Sequence, residues 1–138
     1  MPRVLVVDDC ADTTANLCAL LCLWGHDARA ANDGPSALSQ AADFQPDVVL
    51  LDLAMPGMDG HEVAGRLRAL PDLGDAFLIA LSGYAYGRGL LAPEGHFDFC
   101  LLKPVEPVEL RRLLSYLGTP PAYSESLPAM GFDAAAAG

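Results

Sequence analysis

Apolar residues in this chain follow two rhythms. Short unbroken runs, Val4-Leu5-Val6-Val7, Val48-Val49-Leu50-Leu51, Phe77 to Leu81 and residues 98 to 102, alternate with segments whose apolar residues return every third or fourth position. A continuous Val/Leu run of that length reads as a strand buried on both faces, as in a parallel sheet, and the longer rhythm reads as an amphipathic helix. Leu17, Leu20, Leu21 and Trp24 mark a first helix, with Asp12 or Thr13 as its N-cap and Gly25 just past its end. Residues 27 to 31 form a weaker strand, and Asn32-Asp33-Gly34-Pro35 turns into a short Ala/Leu helix ending near Asp43. Past the loop Leu53 to Met58, Asp59 and Glu62 make a capping-box-like start to a helix carrying Val63, Leu67 and Leu70, which Pro71 ends. A last helix enters through Pro107 and carries Leu110, Leu113, Leu114 and Leu117.

This alternation predicts an α/β fold, a doubly wound five-stranded parallel sheet with helices on both faces. Two segments break the rhythm. Between Ser82 and Phe97 a fourth helix is due, yet Gly87, Gly89, Pro93 and Gly95 fall there. Each Gly costs about 1 kcal/mol and a Pro about 3 in a helix interior, so an irregular or shortened helix is expected. Residues 119–138, with Pro120-Pro121, Ser124, Ser126, Pro128 and four alanines, read as a flexible tail without an output domain, after a domain over residues 1–118.

A chain of 138 residues with 52% hydrophobic content suits one globular domain. The net charge of −10 and the scattered basic residues argue against nucleic-acid binding, which calls for a basic face, and favour a partner with a basic patch. No apolar stretch approaches the ~20 residues that span a bilayer and no signal-peptide pattern opens the chain, so no membrane role and a cytoplasmic location are expected. Cys10, Cys18, Cys22 and Cys100 show no zinc-type spacing and read as reduced structural thiols. At Cys10, the neighbouring acids are expected to disfavour the thiolate.

The chemistry lies where the apolar runs stop. The first ends on Asp8-Asp9, the run at 48–51 on Asp52, and Leu101-Leu102 on Lys103, the only lysine present. In open α/β sheets the carboxyl edge of the strands is where ligands bind, so three carboxylates and one ammonium meet there. That set suits a divalent cation together with a phosphoryl group. Asp59 is explained by its cap position, and His26, His61 and His96 lack metal-ligand spacing.

With Val7-Asp8-Asp9, Leu51-Asp52-Leu53-Ala54-Met55-Pro56-Gly57-Met58-Asp59-Gly60, Ala80-Leu81-Ser82-Gly83-Tyr84 and Leu102-Lys103-Pro104, residues 2 to 118 resemble the receiver domain of bacterial two-component response regulators. The wording around Gly83-Tyr84 and Phe97-Asp98 is more similar to freestanding or hybrid-kinase receivers than to those fused to DNA-binding domains. The resemblance implies a flavodoxin-like three-layer sandwich. It also implies that Asp52 accepts a phosphoryl group from a sensor histidine kinase or a histidine phosphotransfer protein, and that the product signals to a further protein. Such a protein assists its own phosphorylation without being an enzyme in the usual sense. Mg²⁺, or in its place Mn²⁺, is then held by Asp9, Asp52 and the Ala54 carbonyl, while Asp8 holds a metal-bound water or the lysine. Lys103, the Ser82 hydroxyl and the Gly83 N–H are implied to bind the phosphoryl oxygens.

Two departures concern output. Many receivers carry an aromatic residue three before the lysine, where this chain has Cys100, so the usual aromatic switch is not expected to operate. Phosphorylation is instead expected to order the segment from Tyr84 to His96. The competing reading is a degenerate receiver acting as a phosphorylation-independent binding module. A phosphatase of the haloacid-dehalogenase type expects a second acid two residues past its nucleophile, where Ala54 stands, and a different motif order.

Overall fold

The computed structural model describes residues 2–83 and 96–117. Five parallel strands, β1 (Arg3–Val7), β2 (Asp27–Ala31), β3 (Val48–Asp52), β4 (Phe77–Ser82) and β5 (Phe99–Leu102), form one sheet in the order β2-β1-β3-β4-β5. Between and after them lie α1 (Ala11–Leu23), α2 (Gly34–Phe44), α3 (Gly60–Ala69) and α4 (Pro107–Leu117). The expected sheet is present, and the Val/Leu runs are buried on both sides because each face is covered. On one face Leu17 and Leu21 of α1 and Leu110, Leu113 and Leu114 of α4 pack on Val4, Val6, Leu50, Ile79 and Leu81. On the other, Ala37 and Ala41 of α2 and Val63, Ala64 and Leu67 of α3 pack on Leu5, Val7, Val49, Leu51 and Leu78. Alternate residues of one run thus serve opposite cores, as a pleat of period two requires.

Element ends differ from expectation where local hydrogen bonds intervene. The first helix is capped by Cys10 rather than by Asp12 or Thr13, and the Cys10 side chain makes no cap bond. The cause is Asp8, whose Oδ1 accepts the Cys10 N–H at 3.0 Å and turns the chain into helix earlier. Gly25, at φ 95°, closes that helix as expected. The second helix runs one residue past Asp43 and stops on Gln45 in the left-handed region, whose backbone N–H reaches the Ala41 carbonyl and whose Nε2 reaches that of Ala42. Asp59 caps α3 through the Glu62 N–H at 2.9 Å, and Asp33 caps α2 through the Ser36 N–H at 2.7 Å.

The last strand starts at Phe99 rather than residue 98, because Asp98 spends its carboxylate on the neighbouring strand's end. Its Oδ2 accepts the Leu78 N–H at 2.9 Å and pairs with Arg68 at 2.7 Å. The expected irregular helix after Gly83, Tyr84 and its ordering, and the tail over 119–138 lie outside the described residues. Among those described, no helix is long and apolar enough to cross a membrane.

Candidate functional site

The strand order reverses between β1 and β3, and a crevice opens at the carboxyl ends of strands at such a point. Register fixes what stands there. Val7 pairs with Leu51, so Asp8 and Asp52 follow side by side, and Asp52 pairs onward with Leu81, which brings Ser82 to the same edge. Ser82 pairs with Leu102, and its carbonyl accepts the Lys103 N–H at 2.7 Å, which delivers the lysine from β5. The Lys103–Pro104 peptide is cis.

Asp8, Asp9 and Asp52 each present an oxygen within 4.8 Å of the others. Asp8 is 1% and Asp52 3% exposed, whereas Asp9 faces solvent. The Lys103 Nζ lies 2.8 Å from Asp8 Oδ2 and 3.2 Å from Asp52 Oδ1, bridging two carboxylates that would otherwise repel. Oδ2 of Asp8 is fully buried and has no hydrogen bond, so it meets the ammonium as an ion pair without a well-directed bond. Oδ1 of Asp52 also accepts the Ala54 N–H at 3.2 Å.

Burial raises the Asp52 pKa above the usual carboxylate value, the Ala54 N–H opposes this, and Asp8 adds to the rise while Lys103 counters it. For Lys103, burial works against the ammonium, but Asp8 and Asp52 outweigh it and hold its pKa above the ordinary lysine value. An acidic trio whose hard oxygens lie within 4.8 Å of one another fits a hard divalent cation such as Mg²⁺ or Mn²⁺.

The sequence-predicted set therefore converges at one edge: Asp8, Asp9 and Asp52 lie in mutual reach, Lys103 pairs with Asp8 and Asp52, and Ser82, 3% exposed, stands on the adjacent strand end. Gly83 follows in exposed chain, and among the described residues a side chain there would meet nothing within 4 Å. Ala54 is exposed at the start of the loop after β3. Two features escaped sequence reasoning. Gly60 packs so tightly that a Cβ would stand 2.7 Å from the Asp52 carbonyl oxygen, which makes α3 a wall of the site. Asn32, expected only as a turn residue, donates from Nδ2 to the Asp8 carbonyl at 2.8 Å and to Thr14 Oγ1 at 3.0 Å. Its signal was its place, one residue past a strand whose partner ends at Val7.

Cys10 is a correction: its thiol is held below its ordinary pKa by the Thr13 side chain and then by the Thr13 and Asp12 N–H groups, which outweigh the acid beside it. Cys100 fills the expected aromatic place as a thiol 1% exposed within the α2–α3 face, and burial raises its pKa. His26 is buried and bonds through Nδ1 to the Pro2 carbonyl at 3.1 Å, while His61 packs edge-on against Phe97.

The response regulator receiver domain model matches residues 4–115. The DNA-binding response regulator MtrA of Mycolicibacterium paratuberculosis is 37% identical over 108 residues, 78% of this chain and 47% of that protein. A 14.6 kDa protein of Leptolyngbya boryana is 39% identical over 112 residues, 80% of this chain and 86% of its own length. The Vibrio cholerae chemotaxis protein CheY4 superimposes with a TM-score of 0.73 at 26% identity, covering 83% of this chain and 97% of that one. The chain spans about half the length of the first curated relatives it matches, MtrA among them. MtrA overturns one expectation drawn above, the exclusion of nucleic acid from the partners. The exclusion failed because a net charge of −10 describes these residues alone, and a relative of this acidic segment is a DNA-binding protein. On the match over residues 4–115 and on these relatives, the chain belongs to the response regulator receiver domain family.

Proposed function

We propose that Asp52 accepts a phosphoryl group from a phosphohistidine on a donor protein, and that the acyl phosphate so formed is the signal. The observation that carries this reading is the bridge from Lys103 to both buried carboxylates, Asp8 and Asp52, inside a three-carboxylate cluster at the sheet's carboxyl edge. An Asp52 oxygen forms the new P–O bond as the P–N bond of the donor breaks, and the electron pair departs on the imidazole nitrogen, which takes up a proton. Lys103 shifts its charge from Asp52 to a phosphoryl oxygen, while the Ser82 hydroxyl and the Gly83 N–H donate hydrogen bonds to the other phosphoryl oxygens. Asp9, Asp52 and the Ala54 carbonyl would hold Mg²⁺, whose contribution when bound is to offset the negative charge of carboxylate and phosphoryl group. Asp8 keeps the lysine in place. The protein is then a phosphoacceptor rather than a catalyst that turns over a separate substrate.

Beryllium fluoride, which mimics an aspartyl phosphoryl group, tests the arrangement. With Mg²⁺ it is expected to raise the melting temperature of the native chain well beyond the effect of Mg²⁺ alone, and to do so in neither Asp52→Asn nor Lys103→Ala. An equal rise in Asp52→Asn would place the binding elsewhere and overturn the reading.

A further inference from the structure

The turn that carries Asp8 and Asp9 is held from β2. Ladder pairing of the first two strands ends at Val7 and Ala31, and one backbone bond and one side-chain bond continue it. Asp8 donates its N–H to the Ala31 carbonyl at 3.1 Å, and its own carbonyl accepts from Asn32 Nδ2 at 2.8 Å. The same amide donates to Thr14 Oγ1 at 3.0 Å, and that hydroxyl, buried in the first turn of α1, donates to the Ala11 carbonyl at 3.0 Å. One side chain thus ties together the end of β1, the end of β2 and the start of α1. These bonds span 24 and 18 residues of sequence, so the local turn at 32–35 does not account for them.

The two carboxylates on this turn are fixed differently. Asp8 is held by its own contacts, Oδ1 with the Cys10 N–H and Oδ2 with Lys103. The Asp9 carboxylate is exposed and has no hydrogen bond or ion pair among the described residues. Its place beside Asp8 and Asp52 therefore follows the main chain of residues 8 and 9, and that main chain hangs on Ala31 and Asn32.

We propose that Asn32, backed by Thr14, is a positioning residue for divalent-cation binding: by gripping the Asp8 carbonyl it keeps the Asp9 carboxylate within reach of Asp8 and Asp52. The inference rests on the reading of the acidic trio as a cation site. An amide is required because the group gripped is an acceptor, and a carboxylate at position 32 offers no donor. Groups that orient metal ligands from behind typically change metal affinity 10–100-fold when removed.

The test uses Mn²⁺ as a spin-visible probe, with free ion counted by electron paramagnetic resonance at a temperature where every variant is folded. Asn32→Ala is expected to weaken Mn²⁺ binding about 10-fold. Thr14→Val is expected to weaken it about 3-fold, and Thr14→Ser to match the native chain, because the hydroxyl returns. Melting temperatures in EDTA separate positioning from stability, since a purely structural role lowers the melting temperature while leaving the affinity of the folded protein unchanged. Equal Mn²⁺ affinity in native, Asn32→Ala and Thr14→Val proteins overturns the inference and leaves the cation site standing. If Asn32→Ala does not fold, the Thr14→Val and Thr14→Ser pair decides by the same criterion. No Mn²⁺ binding by the native chain overturns both the cation site and the positioning role.

Discussion

Asp52 sits in a place that penalises a negative charge. Burial raises its pKa in the folded protein, so the folded state takes up this proton more readily than the unfolded one. Its contribution to stability is therefore present below the ordinary carboxylate pKa and is lost as pH rises through the raised value. Asp52→Asn is expected to melt about 4 °C higher than the native chain at pH 7.5 in EDTA, with a smaller gain at pH 5. Equal melting temperatures at both pH values would contradict this. The lysine has the opposite character. Its raised pKa means that its contribution is present below the ordinary lysine value and disappears only in the alkaline range above it. Because its side chain is 31% exposed, Lys103→Met is expected to cost about 2 kcal/mol in urea unfolding, less than the loss of one partner from a fully buried pair. Asp8, Asp9, Asp52 and Lys103 were legible in the sequence because each stands where an apolar run ends. Cys10 was misjudged because its thiol answers first to the Thr13 side chain and then to the N–H groups of a helix start that the sequence placed two or three residues too late.

At the scale of elements, the site is a product of register. Parallel pairing of Val7 with Leu51 and of Ser82 with Leu102 brings groups distant in sequence to one edge, and no side chain has to reach far. The helix after the Asp52 loop closes the site from one side through Gly60. A methyl group there would stand 2.7 Å from both the Asp52 carbonyl oxygen and the Leu53 Cα, backbone atoms that cannot step aside cheaply. Gly60→Ala is expected to lose about 2 kcal/mol by urea unfolding and to displace Asp52. Gly34→Ala meets instead the Met58 side chain, which is flexible, so its cost is expected to be smaller. If the two variants were equally stable, the close approach at Gly60 would not be the constraint described. Strand positions were readable because burial on both faces demands unbroken apolar runs. Element ends were less so, since Asp8, Gln45 and Asp98 set them through hydrogen bonds that periodicity does not encode.

For the molecule as a whole, three carboxylates against one lysine leave an excess of negative charge at the crevice, which a bound cation relieves. Saturating Mg²⁺ at about 100 times its dissociation constant is expected to stabilise the fold by about 2.7 kcal/mol, and Asp9→Asn to remove most of that gain without a comparable change in EDTA. Calorimetric scans across a Mg²⁺ series check this, and a gain undiminished in Asp9→Asn would move the cation elsewhere. The doubly wound architecture and the site's principal charges followed from the chain's rhythm and its interruptions. Partners did not, because the charge of one acidic segment carries no information about what its longer relatives contact. The holding of the Asp8–Asp9 turn by Asn32 was equally hidden, since it depends on two strands and a helix being docked.

Everything proposed for the site turns on Asp52 being the phosphoacceptor. Intact-mass spectrometry after incubation with a small-molecule phosphodonor, with and without Mg²⁺, on the native chain and on Asp52→Asn, addresses it most directly. The native chain is expected to gain one acid-labile phosphoryl group in a Mg²⁺-dependent manner, and the variant to gain none. A native chain that stays unmodified with both small-molecule and phosphohistidine donors, or an Asp52→Asn chain that gains the same group, would contradict it.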